Sequence, residues 1–254
     1  MTEVLEAIIG IGLIPLALIW VATVAAAILR SFTGFGFALA AVPSFAFFLT
    51  PSQAVVLSAS LSLAVGLQTW PQHAGKVALR PLWPLYLMAV VGTIVGATLL
   101  QRVSAGAFHL SIGITVILAS IVLSRYHPRR RQVGIPARGI TGLCSGLING
   151  AFAIPGPPII IYAMATETDP ARSRAFMIGF FTFSSFVALC SFAMAGLVSW
   201  HSLGLFLCAY PAMYLGDKCG YALFVRHGGA MYRRVAVTAL LLVGISITVK
   251  SLLG

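Results

Sequence analysis

Two interruptions of apolar sequence limit what this chain can become. Ser31-Phe32-Thr33-Gly34-Phe35-Gly36-Phe37 separates two hydrophobic runs and is followed by Pro43. Gly146-Leu147-Ile148-Asn149-Gly150-Ala151-Phe152 breaks a later run and is followed by Pro155-Gly156-Pro157-Pro158. Glycines, prolines and small polar residues in the middle of bilayer-length sequence free backbone groups that lipid cannot satisfy. Such breaks persist where protein or a wet cavity takes those groups, so the pair predicts a site built from both.

The surroundings are membrane-like throughout. Mean hydropathy is +1.01, and 59% of the 254 residues are hydrophobic against 8% charged, which describes an all-α, polytopic helical membrane protein. The longest polar stretch, 125–138, is too short to fold alone and reads as a basic cytoplasmic linker between membrane repeats at 1–124 and 139–254. Sixteen Lys and Arg against five Asp and Glu would suggest nucleic acid in a soluble chain. In a membrane protein the same excess marks cytoplasmic loops, so no nucleic-acid partner is expected. Cys144, Cys190, Cys208 and Cys219 form no Cys-x-x-Cys pair and read as small buried hydrophobes. The five histidines stand singly at segment ends, so no metal and no other cofactor is expected. A membrane-embedded enzyme would want clustered histidines, paired acids or a cysteine pair, and the reading is of a non-enzyme.

Hydropathy places spans near 8–29, 53–70, 83–100, 108–124, 175–198, 203–224 and 235–252. The stretches 33–49 and 139–165, which hold the breaks, are ambiguous; the second reads either as one broken span or as a re-entrant pair of half-helices. Gly92-x-x-x-Gly96 with Arg102 matches Gly216-x-x-x-Gly220 with Arg226 at identical spacings, so the chain looks duplicated. Each half then has a broken hairpin of two elements followed by three spans, and an odd number of elements turns the second copy upside down. If 139–165 returns to its starting side, all basic residues except Arg102 and Lys250 fall inside, whereas a single crossing divides them nine to seven. The positive-inside rule favours the return, and with it an inverted-topology repeat of five plus five elements with broken helices.

In such an architecture half-helix N-termini meet near the bilayer midplane and attract anions. Gly34 and Gly36 let backbone approach a ligand, Pro157 and Pro158 suit the first turn of a new helix, and Thr33 and Asn149 add short polar side chains. The alternative for glycines is tight helix crossing, which is preferred for Gly92/Gly96 and Gly216/Gly220. Ser58 and Ser62 share a helix face, with Ser60, Gln68 and Thr69 nearby. Thr182, Ser184, Ser185 and Ser191 are their counterparts. Most of these hydroxyls can bond back to their own helix, while the Gln68 amide cannot. Asp217 and Lys218 are the acid and base within an apparent span. Asp217 is a coupling candidate, Lys218 can snorkel outward, and Arg30 either steers an anion or anchors topology.

The Thr-Gly-Phe-Gly break after a first span, the following proline, the Gly-x-x-x-Gly helix ending in Arg and a second copy of the whole resemble the sulfite exporter TauE/SafE family, also called toluene sulfonate uptake permeases. The resemblance covers roughly residues 10–250. It implies a carrier of sulfite, sulfonates or related anions in the bacterial cytoplasmic (inner) membrane, working in either direction. It also implies site positions at Thr33, Gly34, Phe35 and Gly36 in the first copy and Asn149, Gly150 and Phe152 in the second. One glycine stands at Asn149-Gly150-Ala151-Phe152 where the family usually has more, which makes the Asn149 side chain a substitute anion contact. The resulting expectation is a secondary transporter for a small sulfur-containing anion by alternating access, with Ser60, Gln68 and Ser184 along the route and Phe35 and Phe152 as gates. No Gly-x-x-x-x-Gly-Lys-Ser/Thr motif is present, so a gradient would drive it. The coupling ion, proton or sodium, and a homo-oligomeric state stay open, as do a carboxylate as substrate and a non-transporting membrane subunit.

Overall fold

The structure, a computed structural model, describes residues 11–72, 75, 80–125, 133–167 and 169–227. Among these, nine α-helices and no strands occur: α1 (Leu13–Thr33), α2 (Phe37–Phe45), α3 (Pro51–Thr69), α4 (Trp83–Leu100), α5 (Ala105–Arg125), α6 (Ile135–Phe152), α7 (Gly156–Thr166), α8 (Pro170–Met194) and α9 (Trp200–His227). The expected last span, 235–252, and residues 126–132 of the 125–138 linker lie outside the described residues. Four stretches within α1, α3, α4 and α8 are long and apolar enough to cross a membrane. The ambiguous 139–165 stretch is two helices, α6 and α7, separated by Ala153, Ile154 and Pro155.

Local chemistry sets several boundaries. Thr50 caps α3 in a reciprocal capping box with Gln53, and Pro51 opens the first turn, where a missing N–H costs nothing. Asp169 caps α8 by accepting from the Ala171 N–H, again with a proline, Pro170, at the helix start. Both α3 and α8 therefore begin with a side-chain cap followed by a proline.

Residue size rather than polarity sorts the faces of these helices. On α4, Leu87, Val91, Ile94, Val95 and Leu99 are exposed, while Ala89, Gly92, Thr93, Gly96 and Ala97 face inward. Lipid tails are as apolar as leucine, so close backbone approach between small residues holds such helices together. A Cβ added to Gly142, Gly146 or Gly150 of α6 would strike the carbonyl oxygens of Leu85, Ala89 and Thr93 in turn. The numbers rise together, so α4 and α6 run parallel. Gly216 likewise faces Val24 and Ala27, and Gly220 faces Ile28 and Ser31, so α9 runs parallel to α1. By contrast α3 and α8 are antiparallel: Gly66 abuts Thr182, and Trp70, just past the end of α3, reaches Gly179. Both Gly-x-x-x-Gly pairs thus serve helix crossing, as expected.

The short helices α2 and α7 lie in the interior. Seven of the nine residues of α2 are buried, and α7 buries Ile159, Ile160, Tyr162 and Ala163. Their N-terminal ends meet, since a Cβ on Gly156 would lie 3.4 Å from the Leu39 side chain. Cys144, Cys190 and Cys219 sit on the outer surface instead of in the core, because a thiol is apolar enough to face lipid.

Candidate functional site

At the first break α1 ends on Gly34, at φ +76°, whose N–H donates to the Arg30 carbonyl at 2.8 Å. Gly36, at φ +96°, then caps α2. Both angles lie in the left-handed region that side chains disfavour. A Cβ on Gly34 would also lie 2.7 Å from Cγ of Arg174, which packs across the break from α8. At the second break α6 ends on Ala153 at φ +54°, and its N–H donates to the Asn149 carbonyl at 2.7 Å. Pro155 follows; its carbonyl accepts from Ser145 Oγ at 2.7 Å. Pro157 and Pro158 fall in the first turn of α7, as their sequence position predicts.

The two breaks face one another across a cavity of about 40 Å³, lined by residues 34–39 and 154–156, by Ser62 and Gly66 of α3, by Ile178, Phe181, Thr182 and Ser185 of α8, and by Arg30. A space of that order holds a few waters or one small ion. The donors on its two sides are unequal. The first four N–H groups of a helix have no partner within it, and at α2 these belong to Gly36, Phe37, Ala38 and Leu39. At α7 the corresponding positions are Pro155, Gly156, Pro157 and Pro158. Three of them have no N–H, so the second break offers one backbone donor against four.

Arg30 is buried at the cavity edge. Its Nη1 lies 3.4 Å from Oδ1 of Asp217 on α9. Its Nη2 donates to Thr69 Oγ1 at 3.1 Å and to the Val65 carbonyl at 3.5 Å. Arg174 Nη2 donates to the Ser31 carbonyl at 2.8 Å, and Ser31 Oγ to the Asp217 carbonyl at 3.0 Å, so α1, α8 and α9 are joined here. Lys218 points away, with its Nζ 5.5 Å from the exposed Tyr214 ring.

A neutral twin of this cluster occurs in the other half. Asn149 Nδ2 donates to the Ser184 carbonyl at 2.9 Å and to Thr93 Oγ1 at 3.3 Å, tying α6 to α8 and α4. Arg30 and Asn149 each offer the carbonyl that receives the left-handed cap of their helix. Asp217 and Thr93 each follow the first glycine of a Gly-x-x-x-Gly pair, and the acceptor carbonyls lie on the matching helices α3 and α8. The residue corresponding to Asn149 is therefore Arg30, one helical turn before Thr33.

Of the residues singled out from sequence, Gly34, Phe35, Gly36 and Arg30 line the cavity. The Thr33 side chain lies outside the described residues. Other expected residues lie elsewhere. Both polar contacts of the Asn149 amide nitrogen are to protein, Gly150 packs on the Thr93 carbonyl, and the Phe152 ring sits 5.8 Å from Phe108. The second break falls after Gly146–Phe152, which is helical. Ser60 bonds its own helix at Val56, 2.8 Å away, and borders a separate apolar cleft of about 350 Å³. Ser184 is buried against α6, and neither it nor Gln68 lines the cavity. The sequence reading missed Arg174, Gly66 and Gly156, and had Ser62, Thr182 and Ser185 only as members of hydroxyl-bearing faces. The matched starts Thr50-Pro51 and Asp169-Pro170 were the signal that would have aligned the halves at the breaks.

An all-helical membrane protein whose two interrupted helices enclose a small cavity with a buried arginine at its edge has the architecture of a transporter. The family model for the sulfite exporter TauE/SafE matches residues 18–247. The chain belongs to that family, whose members are transporters. No curated protein and no solved structure matched the chain.

Proposed function

We propose that the protein is a secondary carrier that moves a small sulfur-containing oxyanion, sulfite or an organosulfonate, across a bacterial cytoplasmic membrane by alternating access. The observation that carries this reading is the convergence of both breaks and the Arg30 guanidinium on one cavity. In the proposal the anion lies against the N-terminus of α2, whose N–H groups and positive dipole end suit a negative charge. Ser62 and Ser185 supply hydroxyls, and Phe35 and Phe181 close the cavity.

An inverted repeat accounts for the packing. If successive membrane helices alternate in direction, parallel α1/α9 with parallel α4/α6 requires both breaks to reverse the chain or neither to do so. Antiparallel α3 and α8 fit only the first case. Rocking of one half against the other about α3 and α8 would then expose the cavity to each side in turn.

Thermal denaturation of the detergent-purified protein tests the site, because a ligand that binds only the folded state raises apparent stability. Sulfite or a sulfonate is expected to stabilise it more than a matched carboxylate does. Ser62→Leu, which fills the cavity, should abolish that shift and lower flux into proteoliposomes by about tenfold or more, the factor for ~1.4 kcal/mol of binding. Absence of any shift with sulfur anions in a cooperatively melting protein would overturn the proposal.

A further inference from the structure

We propose that the Arg30–Asp217 pair is a proton-linked switch, in which the transported anion takes Arg30 from Asp217 and the released carboxylate binds a proton. This rests on the cavity being the anion site. Three features of the geometry support it.

The pair is loosely made. Contacts of 3.1 to 3.5 Å around the guanidinium are long for charge-assisted bonds, which favour about 2.7–2.9 Å. Arg30 borders the cavity, so an anion there competes directly with the carboxylate.

The fold does not require the charges. At the matching place in the other half, Asn149 and Thr93 form the same bridge with uncharged side chains, and a carbonyl on α8 replaces that on α3. Buried ion pairs are weak evidence for stability, since desolvation offsets their attraction. The charged version occurs in the half whose helix-end residue lines the cavity, which points to use in transport.

The direct charge partner of Asp217 is Arg30, and Arg174 attracts the carboxylate from beyond salt-bridge distance. Among the described residues, Arg30 is the cation within salt-bridge distance of it. From α8 the facing charge is Arg174, whose Nη2 is bonded to the Ser31 carbonyl. From α3 come the Thr69 hydroxyl and the Val65 carbonyl, neither of which titrates. On α9 itself Tyr221 is exposed and Lys218 leans on Tyr214. A carboxylate this enclosed, once Arg30 turns to the anion, is easier to neutralise than to leave charged. The proton comes from water on the side to which the cavity opens. It leaves when the anion departs and Arg30 returns. For a monoanion the translocated complex then carries anion and proton together with no net charge.

The test uses isethionate, whose sulfonate stays ionised across the working range, so that any proton taken up is the protein's. If each anion bound brings one proton to Asp217, the wild-type dissociation constant should rise by about tenfold per pH unit between the carboxyl's titration in the free protein and its higher titration in the complex, and level off above that. Asp217→Asn should bind more tightly, with the same affinity at every pH, and proteoliposomes should lose accumulation driven by a pH gradient. Asp217→Glu should restore the pH dependence. The double variant Arg30→Asn/Asp217→Thr, which copies the neutral twin, should insert and melt cooperatively while showing no stabilisation by the anion. A flat pH profile for the wild type, which needs no variant, would overturn the switch and leave the anion site standing. So would pH dependence retained in Asp217→Asn, or wild-type binding by the double variant. No binding of isethionate, sulfite or any other sulfur anion to the wild type would remove the site reading itself.

Discussion

Gly34 and Ala153 do the same work with different side chains. Each ends a helix in the left-handed region and returns its N–H to the carbonyl four residues back. Glycine tolerates that conformation, whereas a Cβ there costs roughly 1–2 kcal/mol. Gly34→Ala would add that strain and push its Cβ to within 2.7 Å of Arg174, so the apparent melting temperature should fall. Ala153→Gly relieves strain and should raise stability by about 1 kcal/mol, read as a higher melting temperature in the same detergent. The asymmetry also explains what the sequence could and could not reveal. Gly34 and Gly36 announce the first break, because glycine is the usual residue at positive φ. An alanine carries no such signal, so sequence alone points to the conspicuous Asn149-Gly150, which instead belong to the last turn of α6. Arg30 and Asp217 are far apart in sequence, and nothing in either local pattern announces that they meet.

At the scale of elements, the glycines of α6 differ by what faces them. A Cβ on Gly146 would strike the Ala89 carbonyl, a backbone atom that can move only with its helix. A Cβ on Gly139 would meet the Met88 side chain at 3.6 Å, an ordinary contact. Gly146→Ala should therefore cost about 1–3 kcal/mol or more through overpacking. Gly139→Ala should be close to neutral or slightly stabilising, since alanine is the better helix former. Comparing melting temperatures and monodisperse yield of the two variants checks this, and equal behaviour would rule out backbone-to-backbone packing of α4 and α6. A four-residue spacing of small residues was legible as a packing face. Its partner was not, because periodicity shows which side of a helix is small and says nothing of which helix lies against it.

For the molecule as a whole, α1 packs on α9 and α6 packs on α4. Under the proposed duplication each half completes its interior with an element from its counterpart, while α3 packs on α8. This exchange makes the orientation of the halves testable at a single pair of positions. Arg102 and Arg226 each lie six residues after the second glycine of a Gly-x-x-x-Gly pair, so under the proposed duplication they are equivalent places. A parallel duplication puts them on the same side of the membrane, and an inverted one puts them on opposite sides. With the four native cysteines replaced by serine, Arg102→Cys and Arg226→Cys should react with a membrane-impermeant maleimide from opposite faces, the first in intact cells and the second only in inside-out vesicles. Labelling of both from one side would discard the inverted repeat and the rocking motion built on it. The anion site would then need a different route to the second face, because a cavity bordered by two breaks serves alternating access only if the halves can exchange roles.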